Sequence, residues 1–211
     1  MKILYFDTLV STQIYLKELI KETNVSLPLG VVCQIQTEGI GSRNNSWTSL
    51  KGNLFLSFAL PLSDLPEDLR LESASIYFSY LFKETLESFG SKVFLKWPND
   101  LYINDEKVGG MITNIVNDTI VCGLGLNLVN SSNGFACLDL SVDKNIILKS
   151  YFKNIENKPS WKQVFSKYKI NFCTNQNFFT HVKGIKVSLT EATLENDGSL
   201  NINGERIYSL R

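Results

Sequence analysis

Lys96-Trp97-Pro98-Asn99-Asp100, continued by residues 101–114, is the stretch on which the reading of this chain turns. A β-type run over 93–97 ends at a proline, and a second run over 100–103 follows almost at once. Proline lacks an N–H and pushes its predecessor towards extended geometry, so the sequence predicts a strand that bends sharply at Pro98. A lysine and two short polar side chains would then be held at a rigid corner. A lysine in so apolar a run either lays its stem over core surface with its head in water or meets an anion inside a pocket. The five residues alone leave both readings open.

Downstream, a turn at Asn104-Asp105-Glu106 leads into 107–114, and a turn at Asn117-Asp118 leads into 119–128. This spacing predicts an antiparallel meander. Its strands carry Gly109, Gly110, Gly123 and Gly125. Glycine inside a strand marks close approach of another backbone or a ligand. A flat site beside Lys96 is the simplest joint explanation.

Upstream, 2–6 reads as a short strand and Ser11 as the N-cap of a helix running to about residue 22. The start of that helix, Ser11-Thr12-Gln13, offers hydroxyls, an amide and backbone N–H groups, which either bind a polar ligand or cap the helix. A strand over 31–36 runs into the loop 37–47, which holds Gly39, Gly41, Arg43, Asn44, Asn45 and a terminal Trp47. Its glycines permit close backbone approach and its arginine can pair with phosphate. It lacks the G-K-[ST] of a Walker loop and the third glycine and helix of a dinucleotide fingerprint. It is long enough to act as a lid.

Residues 53–60 form a further strand. Residues 71–89 place aromatic and aliphatic side chains at helical spacing, and Gly90 stops them. A helix starts near Ile146, and Ser160-x-x-Gln163 is a capping box for another ending near Cys173. Residues 175–177 read as a polar break. Beyond Val182, short β runs alternate with turns at Asp197-Gly198 and Asn203-Gly204. The expected fold is α+β, a mixed and mostly antiparallel sheet flanked by helices. Residues 1–178 form the main domain, and 179–211 form a small C-terminal β appendage that packs on it.

Composition narrows the function. The chain has 211 residues, and its 21 Lys and Arg balance 21 Asp and Glu. No basic field calls for nucleic acid and no apolar run is long enough to span a membrane. The N-terminus meets Asp7 before a signal-peptide core can form, so a cytoplasmic location is expected. Cys33, Cys122, Cys137 and Cys173 are scattered without a C-x-x-C pair and read as reduced thiols. His181 is the sole histidine, which rules out a multi-histidine metal site, and no G-x-S-x-G elbow accompanies it.

Taken in order, Ser11-Thr12-Gln13, Gln36-x-x-Gly39-x-Gly41-x-Arg43-x-x-x-Trp47, Lys96-Trp97-Pro98-Asn99-Asp100, Lys107-x-Gly109-Gly110 and Gly123-x-Gly125-x-Asn127 resemble bacterial biotin protein ligases across most of residues 1–130. The resemblance implies a core like that of class II aminoacyl-tRNA synthetases. The implied activity is activation of biotin by ATP to biotinyl-5′-AMP, with Mg2+ on the phosphates. Transfer to a lysine of the biotin carboxyl carrier protein of acetyl-CoA carboxylase follows. Lys96 matches the lysine that offsets repulsion between the biotin carboxylate and the α-phosphate. The implied biotin site takes in Ser11, Thr12, Gln13, Gln36, Gly39, Ile40, Gly41, Ser42, Lys96 and Gly110, with Ser11, Thr12 and Gln36 near the ureido ring. Arg43, Trp47, Asn99 and Asn127 fall on the nucleotide side, and the metal ligands are left open. The ligase-only form, without a DNA-binding segment, is expected, and the resemblance allows a homodimer that no residue here decides.

The loop departs from the family. Many members carry arginine where Ile40 and Ser42 stand, and Asn44 and Asn45 replace a glycine and an arginine. The expectation is weaker retention of the adenylate. Two other readings stand beside ligation of biotin: a lipoate or octanoate transferase of the same fold group, and a biotin sensor without catalysis.

Overall fold

A computed structural model describes residues 1–42, 45–132, 134–182 and 184–208. Along the chain the strands are β1 (Lys2–Leu9), β2 (Leu29–Gln36), β3 (Gly39–Ile40), β4 (Ser46–Trp47), β5 (Leu54–Pro61), β6 (Phe94–Lys96), β7 (Asp100–Ile103), β8 (Glu106–Val116) and β9 (Thr119–Leu126). After the last helix come β10 (Phe179–Val182), β11 (Ile185–Ser188), β12 (Thr193–Leu194), β13 (Leu200–Ile202) and β14 (Glu205–Ile207). The helices are α1 (Thr12–Glu22), α2 (Ala74–Glu87), α3 (Lys144–Glu156) and α4 (Trp161–Phe172).

Seven strands form the central sheet in the order β1-β2-β5-β9-β8-β7-β6. β1 and β2 run parallel and every other neighbouring pair is antiparallel. The mixed, mostly antiparallel α+β architecture read from the sequence is therefore what forms. Strand alternation sorts the side chains to two faces. Leu54, Leu56, Phe58 and Leu60 of β5 join Ile120, Cys122, Leu124 and Leu126 of β9 in the larger core, beneath α2, α3 and α4. The aromatic stripe of α2 lies there, with Phe78 edge-on to Phe58 at 5.4 Å and Phe82 edge-on to Tyr151 at 4.9 Å.

Among the described helices, α1 alone packs on the other face. Its Leu16 and Ile20 pack on Leu29, Val31, Ala59, Val116 and Val121. Full burial of a side chain such as Leu16 contributes roughly 1.5–3 kcal/mol. Because α1 begins at Thr12, it covers only part of this face. Ser57, Gly110, Ile112, Gly123 and Gly125 lie beyond its N-terminus, and they floor the cleft described below.

Local signals behave as their chemistry dictates. The capping box closes in both directions: Gln163 N donates to Ser160 Oγ at 3.2 Å, and Ser160 N to Gln163 Oε1 at 2.9 Å. The Trp97–Pro98 peptide is cis, and β6 pairs back onto β7 across it. Residues 175–177 are not a simple break. A 3-10 turn, Cys173–Asn175, extends α4, and Asn175 is fully buried. The C-terminal strands form a β10–β11 hairpin and a β12–β13–β14 sheet, and Leu189, Leu200 and Ile202 join the larger core. All four cysteines are free thiols. Among the described residues no helix is long and apolar enough to cross a membrane.

Candidate active site

The start of α1, the end of β2, the β3–β4 hairpin and the middle of the sheet surround a cleft that is partly open to solvent. Ser11, Thr12, Gln13, Gln36, Ile40, Gly41, Ser42, Trp47, Asn99 and Gly110, all singled out in the sequence, line it. Gly39 is buried in β3 and pairs with Trp47. Lys96 and Asn127 are not among the described residues of the wall. Arg43 lies outside the described residues.

Strand register builds the floor. Phe55, Gly125, Gly110 and Asp100 form one cross-strand row, and Ser57, Gly123 and Ile112 form the next. The glycines keep it low. A Cβ on Gly123 would stand 2.6 Å from Gln13 Oε1, and one on Gly125 would stand 2.5 Å from the Trp47 ring. The sequence marked these two glycines without showing that they make room for protein side chains as well.

One end is a neutral polar network. Gln36 Oε1 accepts from Thr12 N at 2.9 Å and from Thr12 Oγ1 at 3.2 Å. Ser57 Oγ lies 2.9 Å from both Thr12 Oγ1 and Gln13 Oε1, and its single proton serves one acceptor at a time. Gln13 Nε2 donates to Asn114 Oδ1 and to Val121 O, each at 3.1 Å. Ser57 was not singled out in the sequence, where it is one hydroxyl in an otherwise apolar strand. Ser11 stands at the N-cap, but its side chain makes no capping bond. Its Oγ is instead buried without a partner, as are Asn99 Oδ1 and Trp47 Nε1. All three residues line the cleft. A buried polar atom left unsatisfied costs about 1–3 kcal/mol, so three converging on one cleft point to a polar ligand.

The other end is charged. Lys107 Nζ donates to Asp100 Oδ1 at 2.6 Å, and Lys96 Nζ lies 3.9 Å from Asp100 Oδ2. Lys107 lines the cleft with Asp100. Lys96 is Asp100's direct cross-strand partner, one strand further out on the edge strand β6. A bulge explains how Lys107 reaches the cleft. Leu101 pairs with Gly109 and Tyr102 with Lys107, so Val108 is an extra residue in β8. In a regular strand Lys107 and Gly110 would face opposite sides; one extra residue restores the same side. Lys96 Nζ sits 5.4 Å from the Tyr102 ring centre. Burial, and then the Asp100 charge, push the Tyr102 hydroxyl pKa up to about 12.

The rim is the β3–β4 hairpin, closed by a 2.7 Å bond from Gly41 N to Asn45 O. It lays Trp47 over Gly125 and against Phe135, ring centres 6.4 Å apart. Asn127 supports that rim from outside the cleft. Its Nδ2 donates to Ala136 O at 3.2 Å, and its Oδ1 accepts from Asn53 Nδ2 at 3.3 Å. Among the described residues no three His, Cys, Asp or Glu side chains cluster as metal ligands. The arrangement suits an extended ligand with a neutral hydrogen-bonding head, apolar flanks against Ile112 and Trp47, and an anionic tail near Lys107.

Comparison with known proteins agrees with this geometry. The model of the Biotin/lipoate A/B protein ligase family matches residues 5–127. The crystal structure of biotin acetyl coenzyme A carboxylase synthetase from Helicobacter pylori with bound biotinylated ATP superposes with a TM-score of 0.94 at 40% identity, over 98% of this chain and 99% of that one. Biotin protein ligase from Aquifex aeolicus in complex with biotin and ATP shares the fold, with a TM-score of 0.80 at 22% identity over 100% and 96% of the two chains. Biotin--protein ligase 2 of Arabidopsis thaliana is 33% identical over 153 residues, 62% of this chain and 46% of that protein. The bifunctional ligase/repressor BirA of Bacillus subtilis is 30% identical over 145 residues, 63% of this chain and 42% of that protein. The chain thus spans less than half the length of these two relatives in the matched regions.

Proposed function

The chain belongs to the biotin/lipoate A/B protein ligase family, and from that membership we propose that it is a biotin protein ligase. It joins biotin to the AMP portion of ATP with release of pyrophosphate. It then passes the biotinyl group to a lysine of a biotin carboxyl carrier protein of acetyl-CoA carboxylase. The observation that carries this reading is the pairing of two unlike ends in one cleft. Ser11 Oγ, buried and unpartnered beside the Thr12–Gln36–Ser57 network, suits a neutral ureido ring with both N–H donors and a C=O acceptor. Lys107 at the other end suits a carboxylate.

The first step brings two anions together. The carboxylate oxygen attacks the α-phosphorus, and the bond from that phosphorus to the bridging oxygen breaks as pyrophosphate leaves. A fixed cation offsets the repulsion, worth roughly 4 kcal/mol at 4 Å and an effective dielectric of about 20 before desolvation. The sequence resemblance assigns this role to Lys96. The geometry favours Lys107, which lines the cleft while Lys96 braces Asp100 from the edge strand. Magnesium, carried mainly by the phosphates, would supply further charge neutralisation.

In the second step the carrier lysine amine attacks the acyl carbon, AMP leaves with the bridging oxygen, and the amine loses a proton as the amide forms. The β3–β4 hairpin, with Trp47 over the floor, supports a lid that keeps water from the mixed anhydride. Trp47 with its unpartnered Nε1 and Asn99 with its unpartnered Oδ1 suit the nucleotide side, and Asn127 holds the loop behind it. Four free thiols fit a reducing cytoplasm.

The test is exchange of labelled pyrophosphate into ATP. Exchange that requires biotin supports the reading. Exchange with lipoate but not biotin assigns the other chemistry of the family. Biotin binding with no exchange makes the protein a sensor.

A further inference from the structure

We propose that Asn171 and Asn175 are positioning residues for this reaction: two side-chain amides that act as a missing eighth strand and fix the corner carrying Asn99 and Asp100. The proposal rests on the cleft being the reaction site. β6 is the edge of the sheet, and its inner side pairs with β7. An edge strand presents backbone N–H and C=O groups without a ladder partner, which a buried position does not tolerate.

Here the end of α4 and the 3-10 turn that extends it supply the partners. Asn171 Oδ1 accepts from Leu95 N at 3.2 Å and its Nδ2 donates to Leu95 O at 2.8 Å. Asn175 Oδ1 accepts from Trp97 N at 2.6 Å and its Nδ2 donates to Leu95 O at 3.1 Å. Asn171 is 9% exposed and Asn175 is 0% exposed. Four residues apart on a helical path, the two amides fall on one side and meet one strand.

This clamp is two residues from the cleft. Trp97 N is held from behind by Asn175, and Asn99 is held from in front, where Met111 N donates to Asn99 O at 2.9 Å and Asn99 Nδ2 donates to Met111 O. Between the two grips lies only Pro98. Releasing the rear grip lets Asn99 and Asp100 shift against Lys107, whose bond to Asp100 is 2.6 Å long. A displacement of about 1 Å at a reacting centre costs on the order of a hundredfold in rate. Among the described residues the ureido end, built from α1, β2 and β5, shares no hydrogen bond with the clamp, so recognition of the ureido ring is left in place.

The experiment compares wild type with Asn175→Ala, Asn171→Ala and Asn175→Asp. It measures kcat and the KM for biotin in pyrophosphate exchange, together with hydrogen exchange of the backbone amides of Leu95 and Trp97. Asn175→Ala is expected to lower kcat about a hundredfold with the biotin KM changed less than about threefold, and to speed exchange at Trp97 selectively. Asn175→Asp keeps the acceptor for Trp97 N and is expected to recover about tenfold of that loss. A folded Asn175→Ala enzyme with kcat within about twofold of wild type overturns the proposal. If Asn175→Ala does not fold, Asn171→Ala decides by the same criteria, read at Leu95. If wild type shows no biotin-dependent exchange, the reading of the chemistry fails on its own. The clamp is then judged by the amides: unchanged protection at Trp97 in a folded Asn175→Ala protein overturns it.

Discussion

Asp100 Oδ1 accepts a hydrogen bond from Lys107 Nζ at 2.6 Å, across a bulge that turns Lys107 to the cleft side of the sheet. The pair fixes a cation beside Gly110 and the Trp47 ring, where a Cβ on Gly110 would come within 3.3 Å of the ammonium. Lys96 approaches the same carboxylate from the edge strand at 3.9 Å. Two lysines thus share one aspartate, and only Lys107 of the two is on the wall of the cleft.

Lys107→Ala is expected to lower biotin-dependent pyrophosphate exchange by roughly two to three decades, the scale of removing a preorganised charge from a transition state. Lys96→Ala is expected to cost about tenfold, through Asp100. Initial rates of the two variants beside wild type decide it. The reverse ranking would return the role to Lys96.

Gly123→Ala places a methyl 2.6 Å from Gln13 Oε1, and Gln13 is held by Asn114 and Val121 and cannot simply swing away. Biotin affinity is expected to fall at least about tenfold, one 1.4 kcal/mol step. Titration calorimetry measures it, and an unchanged Kd would mean that Gln13 does not help to form the site.

Ile40 and Ser42, two uncharged residues of the loop, line the cleft. Ser42→Arg adds a cation that can pair with the adenylate phosphate, so release of biotinyl-AMP is expected to slow several-fold. Stopped-flow chase of preformed adenylate gives the rate. A wild-type off-rate that is already slow, and that Arg43→Ala leaves unchanged, would remove the idea of a weakly retaining loop.

Burial raises the Asp197 carboxyl pKa, but the Ser199 hydroxyl and amide and the Arg206 guanidinium outweigh it and hold the group below the ordinary carboxylate value. A carboxyl depressed in the folded state adds stability above its unfolded pKa, about 3.9, and loses it as pH falls through the folded value. Asp197 anchors the turn whose Gly198 O accepts the Trp97 indole N–H at 2.8 Å. Acid below about pH 4 is therefore expected to loosen that turn, and Asp197→Asn to flatten the acid limb of the melting curve. Equal acid slopes in the two proteins would count against it.

Burial pushes the Cys33 thiol up to about 11, and Cys122 is raised by burial alone. Cys173 is exposed and Cys137 partly so. A disulfide reagent near neutral pH is expected to label Cys173 first and Cys137 more slowly, with Cys33 and Cys122 reacting only on unfolding. Peptide mapping of the labelled sites reads the order.

The order of motifs, through the family it resembles, determined most of the cleft wall, while alternation and punctuation determined the meander around Pro98, the glycine strands, the aromatic helix α2 and the capping box of α4. These signals are local, set by backbone sterics and by which face of an element is apolar. Tertiary structure decided the rest. Lys107 reached the cleft because a single extra residue, Val108, reversed the facing of part of β8, and a bulge depends on strand pairing. Ser57 became part of the polar network because α1 happens to begin above it. Ser11 was left without a capping bond, its hydroxyl buried and unpartnered in a residue that lines the cleft. Asn171 and Asn175 passed for the end of a helix and a polar break, and their partners lie 76 and 78 residues away in the chain. A side-chain amide shows what it can bond but not which distant backbone will be brought to it, and only the packed fold supplies that.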